Sequence, residues 1–394
     1  MNLNHPANNV ERKGDYLEDK NVWVGVTGSV SCVETVGIIR ELLRYGARVT
    51  VVANRAALEL VGEKSLEFAC GKPIIKEITG QVEHVIAGHE ADLLMITPCC
   101  ATSLGKMVNG IGDNPPMLVA LTCIGAKTPM IVAPAMDKNM SDSDIVQKNM
   151  KSVKKFANVI EPVMIEGKAK LPSKERLVAE ACKMAGPKSL NRKKVLIMGG
   201  GSSEPIDDVR VISNRSSGRM AISLAESAFA MGADVDLWLG NASYEWGNWI
   251  KTTRFEALSK LRSLVKGMKR YDAVVVPAAL SDFIPERAKG KLDSAKPITL
   301  KMKKAPKIIN DIRKKHKGLL YVFKLGARIS EKELLAKAKV LLKNANCVIA
   351  NHSKSMGSDK SKVAIIDKKN IVWISGSKVE ISNKILDKIA SELN

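Results

Sequence analysis

The sequence predicts an α/β protein of two tandem Rossmann-like three-layer domains with mainly parallel sheets. Three observations carry this. Apolar, β-branched runs alternate with helical segments, the order that builds a parallel sheet covered on both faces. The rhythm stops at a polar stretch containing Gly and Pro, "GPKSLNRKK", and then restarts. At 394 residues the chain is long enough for each of two domains to bury its own core.

In the first half, strands are expected over "NVWVGVTG" (21–28), "ARVTVVAN" (47–54), "ADLLMITP" (91–98) and "TPMIVAPA" (128–135), with helices such as 33–44 and 174–185 between or after them. Residues 1–19 have no apolar h-region and read as a polar N-terminal tail rather than a signal peptide. The first domain is then 20–186, the linker 187–192 and the second domain 193–394. In the second domain strands are expected over "KKVLIMGGG" (193–201), "ADVDLWLG" (233–240), "YDAVVVPAAL" (271–280), "LLYVFKLGA" (319–327) and "NCVIANHS" (346–353). Helices are expected near 216–231, 256–268 and 331–344. A hairpin over "KVAIIDKKNIVWIS" (362–375) and a C-terminal helix close the chain. The architecture is used twice without a sequence repeat.

Hydrophobic residues are 45% and charged residues 26%, the balance of a soluble globular protein. The longest weakly polar run, "PPMLVALTCIGA" (115–126), is too short to cross a bilayer, so no membrane partner is expected. Seven cysteines show no CxxC spacing, which fits reduced thiols in the cytoplasm and argues against a structural zinc site. The net charge of +21 would attract nucleic acid or phosphorylated metabolites. Aromatic residues are only 4%, which leaves little for base stacking and disfavours nucleic acid. The Lys-rich run 301–317 reads mostly as a solvated face.

Several turns carry chemistry. In "VGVTGSVSCVET" (24–35) a strand ends at a small-residue turn where a helix begins, and Gly28, Ser29 and Ser31 would let a phosphate approach backbone N–H groups. Tight strand–helix packing demands the same composition, so both readings stand. "TPCCATSLGKMVNGIGDN" (97–114) is a second small polar turn after a strand. Both sit where doubly wound sheets bind ligands, or are two loops sharing an edge. His84 lies eight residues before Asp92; a histidine ahead of an apolar strand is ordinarily a surface or capping residue. "VAPAMDKNM" (132–140) would project Asp137 and Asn139 into the same cleft. Later, "SNRSSGRM" (213–220) sets many hydrogen-bond donors just before an apolar helix, whose N-terminal amides favour anions. A capped helix without a ligand is the bland alternative.

"GVTGSVS", the His84 position, "TPCCATSLGKMVNGIGDN" and "PAMDKNM" resemble the FMN-binding cysteine decarboxylase family. The resemblance implies that FMN is held by Gly28, Ser29, Asn54, Thr97, Pro98, Thr102 and Ser103. It implies that His84 acts on the substrate thiol or carboxylate and that Asp137, usually asparagine, positions it. The family's substrate-clamp segment usually carries a cysteine that donates a proton; the corresponding "VMIEGKAKLPSKERLVAE" (163–180) has none.

"VLIMGGGSSEPIDDVRVISNRSSGRM" resembles the phosphopantothenate–cysteine ligase family, whose pattern runs close to TAGxTxEPIDxVRxISNxSSGxMG. By this resemblance Asn214 handles an acyl-nucleotide intermediate, and Arg215 and Arg219 add charge. The nucleotide is expected at Gly200, Ser216, Ser217, Gly218, Ala278, Ala279, Asp282, Lys291, Pro306, Lys307, Ile308 and Leu325. Lys339 and Lys343, spaced to share a helix face, are expected on its phosphates; Lys307 replaces the family's aspartate. Together the two halves resemble the bifunctional coenzyme A biosynthesis family over about residues 20–394. The resemblance implies CTP or ATP, 4′-phosphopantothenate and cysteine as partners, FMN and Mg²⁺ as cofactors, and a homo-oligomer with a trimer-based decarboxylase core and dimeric ligase units. The metal ligands stay unassigned. A ligase with a silenced decarboxylase, a non-catalytic flavoprotein regulatory subunit and a basic nucleic-acid binder are the competing readings.

Overall fold

Strands of a parallel sheet are buried on both faces, so they read as unbroken apolar runs. Leu93–Cys99 is the clearest case, with every residue buried. The computed structural model describes residues 5–244, 247, 249–293, 297–352 and 360–394, and turns these runs into the sheets of two α/β units. One unit extends to Pro187 and the other begins at Lys188.

The first unit runs β1 (Asn21–Val26), α1 (Thr35–Arg44), β2 (Arg48–Ala53), α2 (Arg55–Val61), α3 (Glu63–Cys70), α4 (Glu83–Glu90) and β3 (Leu93–Cys99). It continues through α5 (Ala101–Val108), α6 (Pro115–Ala126), β4 (Met130–Pro134), β5 (Met136–Asp137), α7 (Lys138–Asp142) and α8 (Asp144–Val153). β6 (Asn158–Val159), β7 (Val163–Ile165), β8 (Lys168–Lys170) and α9 (Lys174–Ala185) complete it.

The main sheet has the order β2-β1-β3-β4-β6 and is parallel throughout. The chain leaves β1 toward β2 on one side and returns on the other as β3, so the order reverses between β1 and β3, the position at which doubly wound sheets bind ligands. The apolar run 115–126 is α6, a buried helix that starts with Pro115 and is capped by the Asn114 side chain, which accepts from the Met117 N–H at 3.3 Å. Its Met117 and Ala120 pack with Leu94, Ile96 and Val132 of the sheet in one core. No described helix is long and apolar enough to cross a membrane.

The expected polar tail is corrected by its few apolar side chains. Tyr16 and Leu17 are buried, Leu17 completely. The Leu17 N–H donates to the Tyr45 carbonyl at 2.8 Å, the rings of Tyr16 and Tyr45 stack at 6.0 Å, and Lys13 pairs with the buried Glu41 at 2.5 Å. Polar composition hid two anchors that bind the segment to the end of α1.

The second unit runs β9 (Lys194–Gly199), β10 (Ser203–Pro205), β11 (Val211–Ser213), α10 (Arg219–Ala230), β12 (Asp234–Leu239), β13 (Lys251–Arg254) and α11 (Leu258–Lys266). Next come β14 (Ala273–Val276), β15 (Phe283–Pro285), β16 (Met302–Lys304), α12 (Ile308–Lys315), β17 (Leu319–Gly326) and α13 (Glu331–Leu341). β18 (Cys347–His352), β19 (Lys360–Ile366), β20 (Ile371–Ser377) and α14 (Lys378–Leu393) end the chain. The sheet order is β13-β12-β9-β14-β17-β18-β19-β20, parallel up to β18 and antiparallel beyond it. The β19–β20 hairpin turns at Asp367, whose Oδ1 accepts from the N–H groups of Lys369 and Asn370, both at 2.7 Å. Capping boxes, Ser330 with Glu333 and Ser377 with Glu380, start α13 and α14. The stretch expected as a linker includes Leu190, which is fully buried and whose N–H donates to the Met231 carbonyl at 3.1 Å, so it docks on this unit.

Candidate functional sites

In the first unit the carboxyl ends of β2, β1, β3 and β4 bring their following turns together. Asn54 caps α2, its Oδ1 accepting from the Ala57 N–H at 2.9 Å. The Thr27 hydroxyl donates to the Pro98 carbonyl at 2.8 Å and accepts from the Cys100 N–H at 3.1 Å, knitting the β1 turn to the β3 turn. Ser29 donates to the Ala135 carbonyl at 3.4 Å, reaching the β4 exit. Gly28 is sterically required: a Cβ there would lie 2.6 Å from that of Ala56. Thr97, Pro98 and Ser103 are buried beneath this rim, and Thr102 is exposed on it.

His84 is on the first turn of α4. Because α4 leads back into parallel β3, its start lies at the carboxyl end of the sheet. Two polar atoms there are buried without a hydrogen-bond partner, His84 Nδ1 and Thr97 Oγ1. Buried polar atoms are ordinarily satisfied, so these two are open to a bound polar group. With the small-residue turns at this edge of the sheet, they fit a flavin.

Asp137 caps α7 through the Asn139 N–H at 2.9 Å, and its strand, β5, pairs with β8 opposite Lys168. β8 and β7 form a hairpin whose tip, Glu166–Gly167, is exposed. The segment lacking the clamp cysteine is therefore built onto the Asp137 loop, which sequence reasoning missed because β7 and β8 are too short to show alternation. Cys182 on α9 is buried, and burial pushes its thiol far up, so it does not replace that cysteine.

In the second unit a cavity of about 660 Å³ lies at the carboxyl ends of β9, β14, β17 and β18. Gly200, Asn214, Ser216, Ser217, Gly218, Ala278, Ala279 and Leu325 line it, as do Arg215, Arg219, Phe323, Asn351 and Lys378. Asn214 donates from Nδ2 to the Ala279 carbonyl at 2.9 Å, which fixes its amide at the cavity wall. Gly218 precedes α10 with φ +73°, where a Cβ would meet that of Ala242 at 2.6 Å.

The other expected nucleotide contacts lie elsewhere. Asp282 is exposed and paired with Lys307 at 2.5 Å; Pro306 is exposed and Ile308 buried in the core. Lys291 is exposed on a segment held by the "EPIDDVR" loop: Asp207 accepts from the N–H groups of Val209, Arg210 and Leu292 at 2.8, 2.6 and 3.0 Å. These bonds, that to Leu292 foremost, hold the Asp207 carboxyl down at about 2. Lys291 stands in the stretch "GKLDS" (290–294), whose last residue, Ser294, lies outside the described residues. Helix α13 ends at Leu341, so Lys339 is on it and Lys343 lies two residues beyond, where a longer helix was expected. Lys343 lines a different concavity, with Arg313 and Lys388, where Lys388 is neutralised by Asp367 at 2.7 Å and Glu392 at 3.0 Å. Among the described residues no group of three or more His, Cys, Asp or Glu side chains could hold a metal ion.

The flavoprotein family profile matches residues 10–186, and that of the DNA/pantothenate metabolism flavoprotein C-terminal domain matches residues 190–393. The fold and the two profiles thus define a flavoprotein domain followed by a pantothenate-metabolism domain. The chain is 37% identical over 394 residues to the coenzyme A biosynthesis bifunctional protein CoaBC of Thermococcus kodakarensis, covering 97% of both chains. It is 36% identical over 387 residues to the protein of that name from Methanocaldococcus jannaschii, covering 96% of this chain and 95% of the relative. The solved DNA/pantothenate metabolism flavoprotein from Streptococcus pneumoniae aligns at 24% identity and TM-score 0.47, over 51% of this chain and 99% of its own. The chain belongs to the bifunctional coenzyme A biosynthesis protein family, CoaBC.

Proposed function

We propose that this chain joins cysteine to 4′-phosphopantothenate in its second unit and decarboxylates the product to 4′-phosphopantetheine in its first. The family membership supports both activities, and the observation that carries the ligase assignment is the cavity shared by Asn214, Ser216–Gly218 and Ala278–Ala279. A carboxylate is a poor acyl donor until activated. Attack of the substrate carboxylate on the α-phosphate of CTP, or of ATP, releases pyrophosphate, and the cysteine amine then captures the acyl-nucleotide. Asn214, oriented by its bond to Ala279, is placed to hold that intermediate. Cationic side chains stabilise the departing phosphates. Mg²⁺ would enter on the triphosphate oxygens, its usual mode of binding.

In the first unit the turns at Gly28–Ser29, Asn54 and Pro98–Ser103 would hold FMN. When bound, FMN supplies the electron sink that loss of the cysteinyl carboxylate requires. His84, with an unpartnered buried Nδ1, is placed to take or give a proton at the substrate thiol or carboxylate. Asp137 orients the substrate from the loop that carries the β7–β8 hairpin. Glu166, Lys168 and Lys170 are the polar groups that hairpin offers in place of a cysteine. The protein is proposed to act in the cytoplasm as a homo-oligomer.

The test separates the halves. His84→Asn abolishes carbon dioxide release from 4′-phosphopantothenoylcysteine and leaves pyrophosphate release intact. Asn214→Asp allows pyrophosphate release but stalls capture by cysteine. A variant that kept full activity would exclude its residue from the assigned role.

A further inference from the structure

The net charge is divided unevenly along the chain. Residues 188–394, the second unit, hold 40 of the 62 Lys and Arg but 20 of the 41 Asp and Glu, a formal +20, while the first unit carries +1. The cavity at the carboxyl ends of the strands is lined by only Arg215, Arg219 and Lys378 of these cations. Part of the remaining excess gathers at the opposite edge of the same sheet, around a separate concavity of about 530 Å³. It opens just before β18, where the end of α12, the exit of α13, the β19–β20 turn and the end of α14 meet.

Five cations line this concavity, Arg313, Lys343, Lys368, Lys369 and Lys388, against two carboxylates, Asp367 and Glu392. One lysine takes both carboxylates: Lys388 lies 2.7 Å from Asp367 and 3.0 Å from Glu392. That pairing foremost holds the Asp367 carboxyl down at about 2, so it stays ionised and committed to Lys388. The other four cations have no carboxylate partner among the described residues. Half-buried Arg313 donates to the carbonyls of His316 and of Gly318, the latter at 2.9 Å, and to Asn346 Oδ1 at 3.2 Å. These bonds orient its guanidinium without neutralising it, and burial pushes its pKa down. Asn346 Oδ1 also accepts from the Leu320 N–H at 2.9 Å, which fixes that wall. Arg313 in the last turn of α12 and Lys343 beyond α13 answer the helix dipoles. Lys368 and Lys369 stand on a turn between two strands, and no helix end accounts for them.

We propose that this concavity is a second anion site, which takes a short inorganic phosphate chain such as tripolyphosphate and is separate from the cavity read as the ligase site. Its volume is within the range of about 300–1,000 Å³ usual for small-ligand pockets. Like charges held together in a partly buried place are destabilised until an anion joins them. A terminal phosphate brings about two negative charges and several acceptor oxygens, so two or three linked phosphates match four uncompensated cations. Lysines suit such a ligand as point charges, and Arg313 adds a fixed fork of donors. The lining holds no aromatic side chain, and its apolar members are only Leu342 and Ala345. A base would find nothing to stack on, so the phosphate chain itself, rather than a nucleoside, is what the site recognises. The inference goes beyond the ligase reading and does not depend on it.

The test is calorimetric titration of the full chain with tripolyphosphate, without Mg²⁺, for wild type, Lys368→Ala/Lys369→Ala and Lys337→Ala/Lys384→Ala. The last removes the same charge from exposed helix positions outside both cavities. Wild type should bind tripolyphosphate with an affinity that falls as salt is raised. Lys368→Ala/Lys369→Ala should weaken one site by about ten- to hundredfold, the loss of charge-assisted hydrogen bonds, and the control pair should bind as wild type. The two side chains are exposed, and the turn is held by Asp367 through backbone N–H groups, so the fold is kept. If the ligase cavity also takes the phosphate chain, wild type shows two sites and the variant loses one. If the ligase reading fails, wild type shows one site, and that one is lost. The site that the variant loses should take ATP no more tightly than tripolyphosphate. The KM for CTP in ligation should stay at the wild-type value in Lys368→Ala/Lys369→Ala. Unchanged tripolyphosphate binding by that variant, equal weakening in the control pair, or no binding by wild type would overturn the proposal. So would a raised KM for CTP, which would assign the two lysines to the other cavity, or much tighter binding of ATP at this site.

Discussion

Gly218→Ala should silence ligation while sparing decarboxylation. Gly218 sits at φ +73°, and an added Cβ would stand 2.6 Å from the Cβ of Ala242. Carbon atoms pack at about 3.5–4.0 Å, so the Ser216–Gly218 turn must retreat by roughly 1 Å. Adopting a left-handed backbone costs an L-residue about 1–2 kcal/mol more, which favours the same retreat. A displacement of about 1 Å at a positioning loop lowers turnover by on the order of a hundredfold. Pyrophosphate release from CTP, 4′-phosphopantothenate and cysteine should therefore fall by about that factor. Carbon dioxide release from supplied 4′-phosphopantothenoylcysteine, measured on the same preparation, should be unchanged. Undiminished pyrophosphate release would refute the reasoning, because the turn would then neither need glycine nor place the substrates.

Leu17→Ala should lower the stability of the first unit by about 2–5 kcal/mol, read as an earlier melting transition, because a fully buried anchor leaves a cavity. His316 is buried with its ring bonded to the Leu319 carbonyl at 2.9 Å, and burial foremost, with Arg313 adding, pushes its pKa below the ordinary value. The folded state thus prefers neutral imidazole: the contribution is complete above the unfolded pKa of about 6.5 and is lost as pH falls through the lower folded value. Melting curves of the second unit should show weakening toward pH 5, and His316→Gln should flatten that dependence. Asp207, at about 2, contributes stability above the ordinary carboxyl range that disappears only as pH falls through 2. Asp207→Asn should remove that acid limb and, by loosening the Lys291 segment, reduce ligation without touching decarboxylation.

The strands were legible because burial on both faces leaves no room for polar residues: "ADLLMITP" became β3 with only its ends shifted, and within "NCVIANHS" Cys347–His352 is β18, Ser353 lying outside the described residues. The hairpin expected over 362–375 and the C-terminal helix after it are both present, as β19–β20 and α14. What escaped reading was short and polar. The β10–β11, β15–β16 and β7–β8 pairs have strands of three residues, too few for a period to appear. The "SNRSSGRM" turn declared itself through composition, and the structure sets Asn214 and Ser216–Gly218 on one cavity. The helix expected over 331–344 ends at Leu341, which leaves Lys339 on it and Lys343 two residues beyond. The N-terminal segment was misjudged because two buried residues, Tyr16 and Leu17, outweigh its polar majority.

That one polypeptide performs both steps is tested most directly by counting products. Purified chain, supplied with FMN, Mg²⁺, CTP, 4′-phosphopantothenate and carboxyl-labelled cysteine, should release labelled carbon dioxide and pyrophosphate in equal amounts at completion. Pyrophosphate accumulating without labelled carbon dioxide would contradict the decarboxylase half, and the absence of both products, with ATP as well as CTP, would contradict the whole.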